Sequence, residues 1–287
     1  MKKYLYGLVS VLAISQMAGC ISTDDMRWLF DADSKRPQAT AVKEAKPAIK
    51  HIPIYSAANY FPLSTYNQIV NTSSVNIKAY SSQLLSGIEV VGDKSKVKFL
   101  NIEVKNNVLY LSDQGSQEAA ANGLNTYVKL FTPNLVQINH SGSGRLVVEQ
   151  LSPHSFSAES HGSGEMKVSG YHIPLSNLKA THSGRIYMSD IKSKNLKVCA
   201  SGHYKLFLTG QVGVLTAEAD GHGRLDASQL AANNVLVKAS GNSQVVLNVR
   251  SKLSAVAHDN SRIYYYNNPK LNATFMDGTA SIINMDN

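Results

Sequence analysis

The chain has 287 residues and a formal net charge of +8, and its only cysteines are Cys20 and Cys199. So few cysteines exclude a disulfide-stapled scaffold, which leaves apolar burial and a regular backbone hydrogen-bond ladder to supply stability, and the length is ample for that. Past the amino terminus no apolar segment approaches membrane-spanning length, so the body reads as a soluble domain.

Lys2 and Lys3 precede an apolar stretch from Tyr4 to Ile14, and Met17-Ala18-Gly19-Cys20 follows. This is the order of a secretory signal, too short to persist as a membrane span. The ending resembles a bacterial lipobox, with Met17 where Leu is commoner. The resemblance implies cleavage before Cys20 and acylation of its thiol and new amino group. An ordinary signal peptide with a chance cysteine is the alternative. Ile21 in place of Asp after the cysteine implies an outer membrane lipoprotein, on the periplasmic face or the cell surface. Removing residues 1–19 takes away two lysines and no acid, so the charge falls from +8 to +6 on 268 residues. With Cys20 acylated, no intramolecular disulfide is expected.

Residues 20–59 then form a tether. Asp24 to Asp33 allows one short amphipathic helix around Trp28, Leu29 and Phe30. The stretch from Lys35 to Lys50 is rich in Lys, Ala and Pro, which is linker composition. A docking helix for a partner is the competing reading.

Residues 60–287 form the third unit. Between 64 and 112, apolar and polar residues alternate in Val75–Ala79, Gly87–Val90, Val97–Leu100, Ile102–Val104 and Val108–Leu111. Those are strands, with Ser, Gly, Asp and Asn-Asn turns between them. A polar, Ala-rich loop is expected from Asp113 to Leu124. From Leu135 a repeat begins, centred on Gly142, Gly162, His182, Gly202, Gly221, Gly241 and Asp259, and less cleanly on Asp277 or Gly278. The first seven are 20, 20, 20, 19, 20 and 18 residues apart. A fixed period built only of strands and turns means stacked coils, and glycines let the chain turn with positive φ.

The alternation assigns the inward residues. Leu135, Phe156, Leu196, Leu215, Val235 and Leu253 face the core before the turn. After it come Leu146/Val148, Met166/Val168, Ile186/Met188, Leu206/Leu208, Leu225/Ala227 and Val245/Leu247, each pair skipping one residue. An antiparallel sandwich would not return equivalent residues to the same facing at every twentieth position. The fold class is therefore all-β, a parallel β-helix: a single-stranded solenoid of ~20-residue coils.

The Ser-Gly-Ser-Gly repeats, the preceding Thr126–Leu130 and Pro133-Asn134-Leu135 segments, and Val108–Leu111 after Asn106-Asn107 resemble the family called putative auto-transporter adhesin, head GIN domain. The resemblance covers about residues 60–285. It implies an exported, often lipoprotein-linked domain built as a right-handed parallel β-helix. It carries no agreed catalytic residues, so it speaks to fold rather than to activity.

Three residues after each repeat centre the side chain faces outward, giving Arg145, Glu165, Arg185, Lys205, Arg224, Gln244 and Arg262 down the rungs. Rungs lie ~4.8 Å apart, so five of these seven make a basic stripe that the core does not require. The next outward column is Val147, Lys167, Tyr187, Phe207, Asp226, Val246 and Tyr264. Cations beside Tyr187, Phe207 and Tyr264 suit an anionic glycan, lipopolysaccharide or a host surface. Surface Lys and Arg that keep a solenoid soluble are the plainer alternative. Nucleic acid would exploit the same charge, but an exported location argues against it as a partner.

His140, His161, His182, His203 and His222 recur one position later per turn before falling back, and His258 sits beside Asp259. Metal binding by His203, His222, Asp220 and His258 competes with exposed turn histidines, the favoured reading. No cofactor is expected. A polysaccharide lyase or hydrolase would need acids on adjacent rungs, whereas Glu159, Glu165, Asp190, Glu218, Asp220, Asp226 and Asp259 are scattered, which favours a non-enzyme. A purely structural envelope lipoprotein is the further alternative. Cys199, between Val198 and Ala200, reads as a semi-buried thiol, with cross-linking of two copies as the other possibility. Nothing in the chain specifies an oligomeric state.

Overall fold

Apolar alternation interrupted by a turn about every twenty residues can bury both ends of each repeat only by stacking on its neighbours, and the chain does so. The computed structural model describes residues 60–81, 85–93, 97, 99–114 and 126–286, within one compact unit, Ile49–Asn287. The expected signal, Cys20 and the tether lie outside the described residues. No helix among the described residues is long and apolar enough to cross a membrane.

Seven strands precede the regular repeats: β1 (Tyr60–Pro62), β2 (Gln68–Asn71), β3 (Ile77–Ser81), β4 (Gly87–Val91), β5 (Leu100–Lys105), β6 (Val108–Asp113) and β7 (Tyr127–Thr132). Four of them, β3 to β6, belong to segments expected from alternation, while β1, β2 and β7 were not expected as strands. The repeats follow as β8 (Gln137–His140), β9 (Leu146–Leu151), β10 (Phe156–Ser160), β11 (Glu165–Gly170), β12 (Leu175–His182), β13 (Arg185–Gly202), β14 (Lys205–Ala219), β15 (Arg224–Ala239), β16 (Gln244–Ala257), β17 (Arg262–Tyr266), β18 (Lys270–Met276) and β19 (Ser281–Asn284). Together they build a β-solenoid of about seven turns with roughly twenty-residue spacing.

One face stacks β8, β10, β12, the second halves of β13 to β16, and β18, all in parallel. A second face stacks β9, β11, the first halves of β13 to β16, β17 and β19. Every inward residue expected from the sequence is buried, at 4% exposure or less. Each fully buried Leu, Ile or Phe contributes roughly 1.5–3 kcal/mol. A third face was not anticipated: Ile191, Val212, Leu230, Ala232 and Val249 also point into the core, in the corner after the second face.

The coil made by β2 and β3 is out of chain order. β2 pairs with β6 on one side and β8 on the other, and β3 likewise with β7 and β9. Gln68 thus faces Gln137. The insertion is pinned by a buried polar cluster, since a buried polar group must find partners. Asn71 donates from Nδ2 to His140 Nδ1 (3.0 Å), and its Oδ1 accepts from the Ser73 amide (3.0 Å) and hydroxyl (2.7 Å). The ring's other nitrogen donates to Gly144 O at 3.0 Å. Beyond this coil, the amino-terminal end is closed by antiparallel strands, β5 on β6, β4 on β7 and β1 on β4. At the opposite end β18 is exposed along its length.

Cys199 is buried and disulfide-bonded. This corrects the expectation of a free thiol in a chain without disulfides.

Candidate ligand-binding face

The basic column is real as a register. Glu165, Arg185, Lys205, Arg224, Gln244, Arg262 and Ser281 are successive partners across adjacent coils. Its charge is less uniform than its sequence. Arg145 is tied through Nε to Glu165 Oε1 at 2.8 Å, and Arg224 to Asp226 Oδ2 at 2.8 Å. Burial pushes the Asp226 carboxyl up, but hydrogen bonds from Ser228 and Arg224 outweigh it and hold the group below the usual carboxylate range. Both ion pairs are partly exposed and are worth little to stability, but they bound a patch. Between them stand Arg185 and Lys205, exposed and without an acidic partner among the described residues.

The aromatic column runs beside it. Tyr187 and Phe207 are register partners and stack with ring centroids 5.0 Å apart, 6° from parallel. Stacked aromatics on a solvent-facing strand offer a flat apolar platform. Lys167 is the register partner of Tyr187 on the preceding coil, exposed and unpaired. Its place in the column was legible from the alternation, yet it was not among the expected binding residues. The patch is therefore Lys167, Arg185 and Lys205 around the Tyr187–Phe207 pair. Arg262 and Tyr264 do not join it, because Gln244 stands between Arg224 and Arg262, and Asp226 and Val246 between Phe207 and Tyr264.

The histidine series scatters as its drift implies. His140 is fully buried, not an exposed turn residue, and burial pushes its pKa down. His161 contacts Glu159 (3.1 Å) and Thr181 (2.9 Å). His203 and His222 stack at 5.3 Å. Asp220 instead accepts from Ser240 at 2.8 Å, and His258 pairs with Asp277 at 2.9 Å. Among the described residues no three His, Cys, Asp or Glu side chains gather as a metal would require. The acids are likewise dispersed: Glu159 faces Lys179, and Glu218 faces Lys238.

A profile of the family described as putative auto-transporter adhesin, head GIN domain, matches residues 65–269. The chain belongs to that family. No curated protein matches it in sequence. Among solved structures, a putative lipid binding protein from Parabacteroides distasonis is 18% identical, with a TM-score of 0.68 over 79% of this chain and 95% of its own. A putative adhesin from Parabacteroides merdae is 15% identical, with a TM-score of 0.67 over 79% and 94%. A putative adhesin from Bacteroides fragilis is 19% identical, with a TM-score of 0.59 over 79% and 95%. At these identities the likeness speaks for the head GIN fold. None of these descriptions names an enzyme.

Proposed function

We propose that this head GIN protein is an adhesin-like binding scaffold of the bacterial envelope whose outward patch holds an anionic glycan or lipopolysaccharide core. The observation that carries the reading is the parallel Tyr187–Phe207 pair flanked by unpaired Lys167, Arg185 and Lys205. A flat sugar face packs on the rings, and the cations meet carboxylate or phosphate groups along the chain. Family membership supports an adhesin-like role outside the cytoplasm or in the envelope.

Binding of lipopolysaccharide and acidic glycans by the whole chain, at two salt concentrations, tests this. Arg185→Glu with Lys205→Glu should lower affinity by about a hundredfold at low salt, as two lost charge-assisted contacts imply. The wild-type affinity should weaken as salt rises. Unchanged binding by the double variant would refute the patch.

The anchor is the second part of the proposal: an acylated Cys20 holds the domain at the outer membrane, facing the periplasm or the cell surface. Cys20 and Cys199 are the only cysteines, so the anchored form is one in which the disulfide at Cys199 is not made within the chain. Mass spectrometry of the mature amino-terminal peptide from envelope fractions therefore decides, and an unmodified Cys20 would overturn the anchor. Protease treatment of intact cells then separates surface exposure from a periplasmic place.

A further inference from the structure

The corner after the second face carries a site of different character from the basic patch. Five consecutive coils open there into a trough with two contiguous parts, of about 430 Å³ and 180 Å³, which share Lys192 and Gln211. The larger is lined by His172, Asp190, Lys192, Thr209, Gln211 and Gln229. The smaller continues past Asn233 to Arg250.

What distinguishes the trough is unspent hydrogen-bonding capacity. At the glycine corner, polar side chains bond up the ladder: Ser240 to Asp220, Asn260 to Asn242, Thr279 to Asn260 and His258 to Asp277. In the trough His172 and Asp190 are engaged, the His172 amide donating to Asp190 Oδ2 at 2.8 Å. The side chains of Lys192, Thr209, Gln211, Gln229, Asn233 and Arg250 have no partner among the described residues. A ring stands at the edge: Tyr171, 68% exposed, stacks on His172 with centroids 4.0 Å apart. His172 is held with φ of 51° and Asp190 with φ of 58°, conformations that the rest of the corner must enforce.

We infer that this trough binds an extended acidic oligosaccharide, a chain of hexoses bearing carboxylates, lying along the solenoid axis. Side-chain amides and a threonine hydroxyl both donate and accept, which complements the paired hydroxyls of a sugar ring. Lys192 and Arg250 stand three coils apart, or about 14 Å at the rung spacing, and that rung spacing of about 4.8 Å is close to the length of one pyranose. Two well-separated cations fit carboxylates distributed along a chain better than one compact phosphate. Tyr171 supplies the apolar face at one end. The site does not rest on the Tyr187–Phe207 patch, which stands earlier on the same coils, before the corner that carries the trough.

The test is calorimetric titration of the whole chain with a hexauronate and with a neutral hexasaccharide of the same length. Saturable binding of the hexauronate is expected, with the neutral chain weaker by about a hundredfold, since it forgoes the charge-assisted contacts of both Lys192 and Arg250. Gln211→Ala with Gln229→Ala, and separately Lys192→Gln with Arg250→Gln, should each weaken it by about tenfold or more. Both trough variants are made on the Arg185→Glu, Lys205→Glu background, so that binding at the Tyr187–Phe207 patch is removed first and any further loss belongs to the trough. All these positions are exposed, and matching thermal melts confirm that each variant is folded. Absence of saturable binding overturns the inference, as does binding that survives both trough variants. Equal affinity for the neutral chain overturns the assignment of an acidic ligand.

Discussion

Gly142 and Gly241 hold the same place in their repeats, yet the chain needs glycine there for different reasons. At the later turns the corner residue is left-handed: His182, Gly202, Gly221, Gly241, Asp259 and Gly278 have φ between 61° and 92°. The next residue's amide then reaches the preceding coil, as Asn242 N does to Gly221 O at 2.7 Å. Gly142 and Gly162 have no such φ. There the constraint is room, because a Cβ at Gly142 would lie 2.0 Å from Ser73 O, on the coil inserted out of chain order. One recurring residue thus serves backbone twist at one end and close backbone approach at the other.

Replacing Gly142 with Ala should therefore be the most damaging substitution among the repeat-centre glycines. The obstructing atom is backbone, which cannot swing aside, so a loss of roughly 3 kcal/mol is expected. Urea unfolding monitored by circular dichroism measures it. A loss below about 1 kcal/mol, the ordinary cost of a point mutation, would mean that the inserted coil yields easily and that the two ends do not differ in this way.

The same end should also carry a pH dependence. Along the inward corner column the amino-terminal coils place Asn71, His140 and Ser160, where later coils place Ala180, Ala200, Ala219, Ala239 and Ala257. Burial favours the neutral His140 ring, which accepts from Asn71 at one nitrogen and donates to Gly144 O at the other. The unfolded chain, with its histidines near pKa 6.5, binds the proton first. Stability from this group is thus complete above about pH 6.5 and is lost as pH falls toward the depressed folded pKa. The urea midpoint should drop between pH 7.5 and 5, and His140→Gln, which does not titrate there, should flatten the drop. An unaltered slope in the variant would assign the effect to other groups.

The difference between the ends also marks what the sequence could disclose. Period and alternation placed Leu146/Val148 through Val245/Leu247 in the core, because burial on one strand face leaves a local trace at every second residue. The basic column was legible for the same reason. That Arg145 and Arg224 are occupied by acids was legible too, since Glu165 lies in the same column and Asp226 two residues along the same strand. The insertion of β2 and β3 left no trace: Gln68 meets Gln137 through backbone pairing alone, and backbone pairing carries no side-chain signature. His140 looked like one more turn histidine because its buried partner, Asn71, is equally distant. The third face escaped because Thr209-Gly210-Gln211-Val212 turns a corner and breaks the two-residue rhythm. The trough was missed with it.

The mildest substitution is the most discriminating. At Gly241, φ is 68° and a Cβ would meet Gly221 O at 2.9 Å, a contact far looser than that at Gly142. If backbone twist is the main reason for glycine here, the cost of a side chain should follow its tolerance of the left-handed region. Asn tolerates that region better than Ala, and Asp259 and His182 already occupy equivalent corners with positive φ. Gly241→Ala should then cost about 1 kcal/mol and Gly241→Asn about half that or less. Paired thermal melts resolve a gap of this size. Equal losses would show that close approach limits both ends of the solenoid, because a steric limit sees only the Cβ that Ala and Asn share.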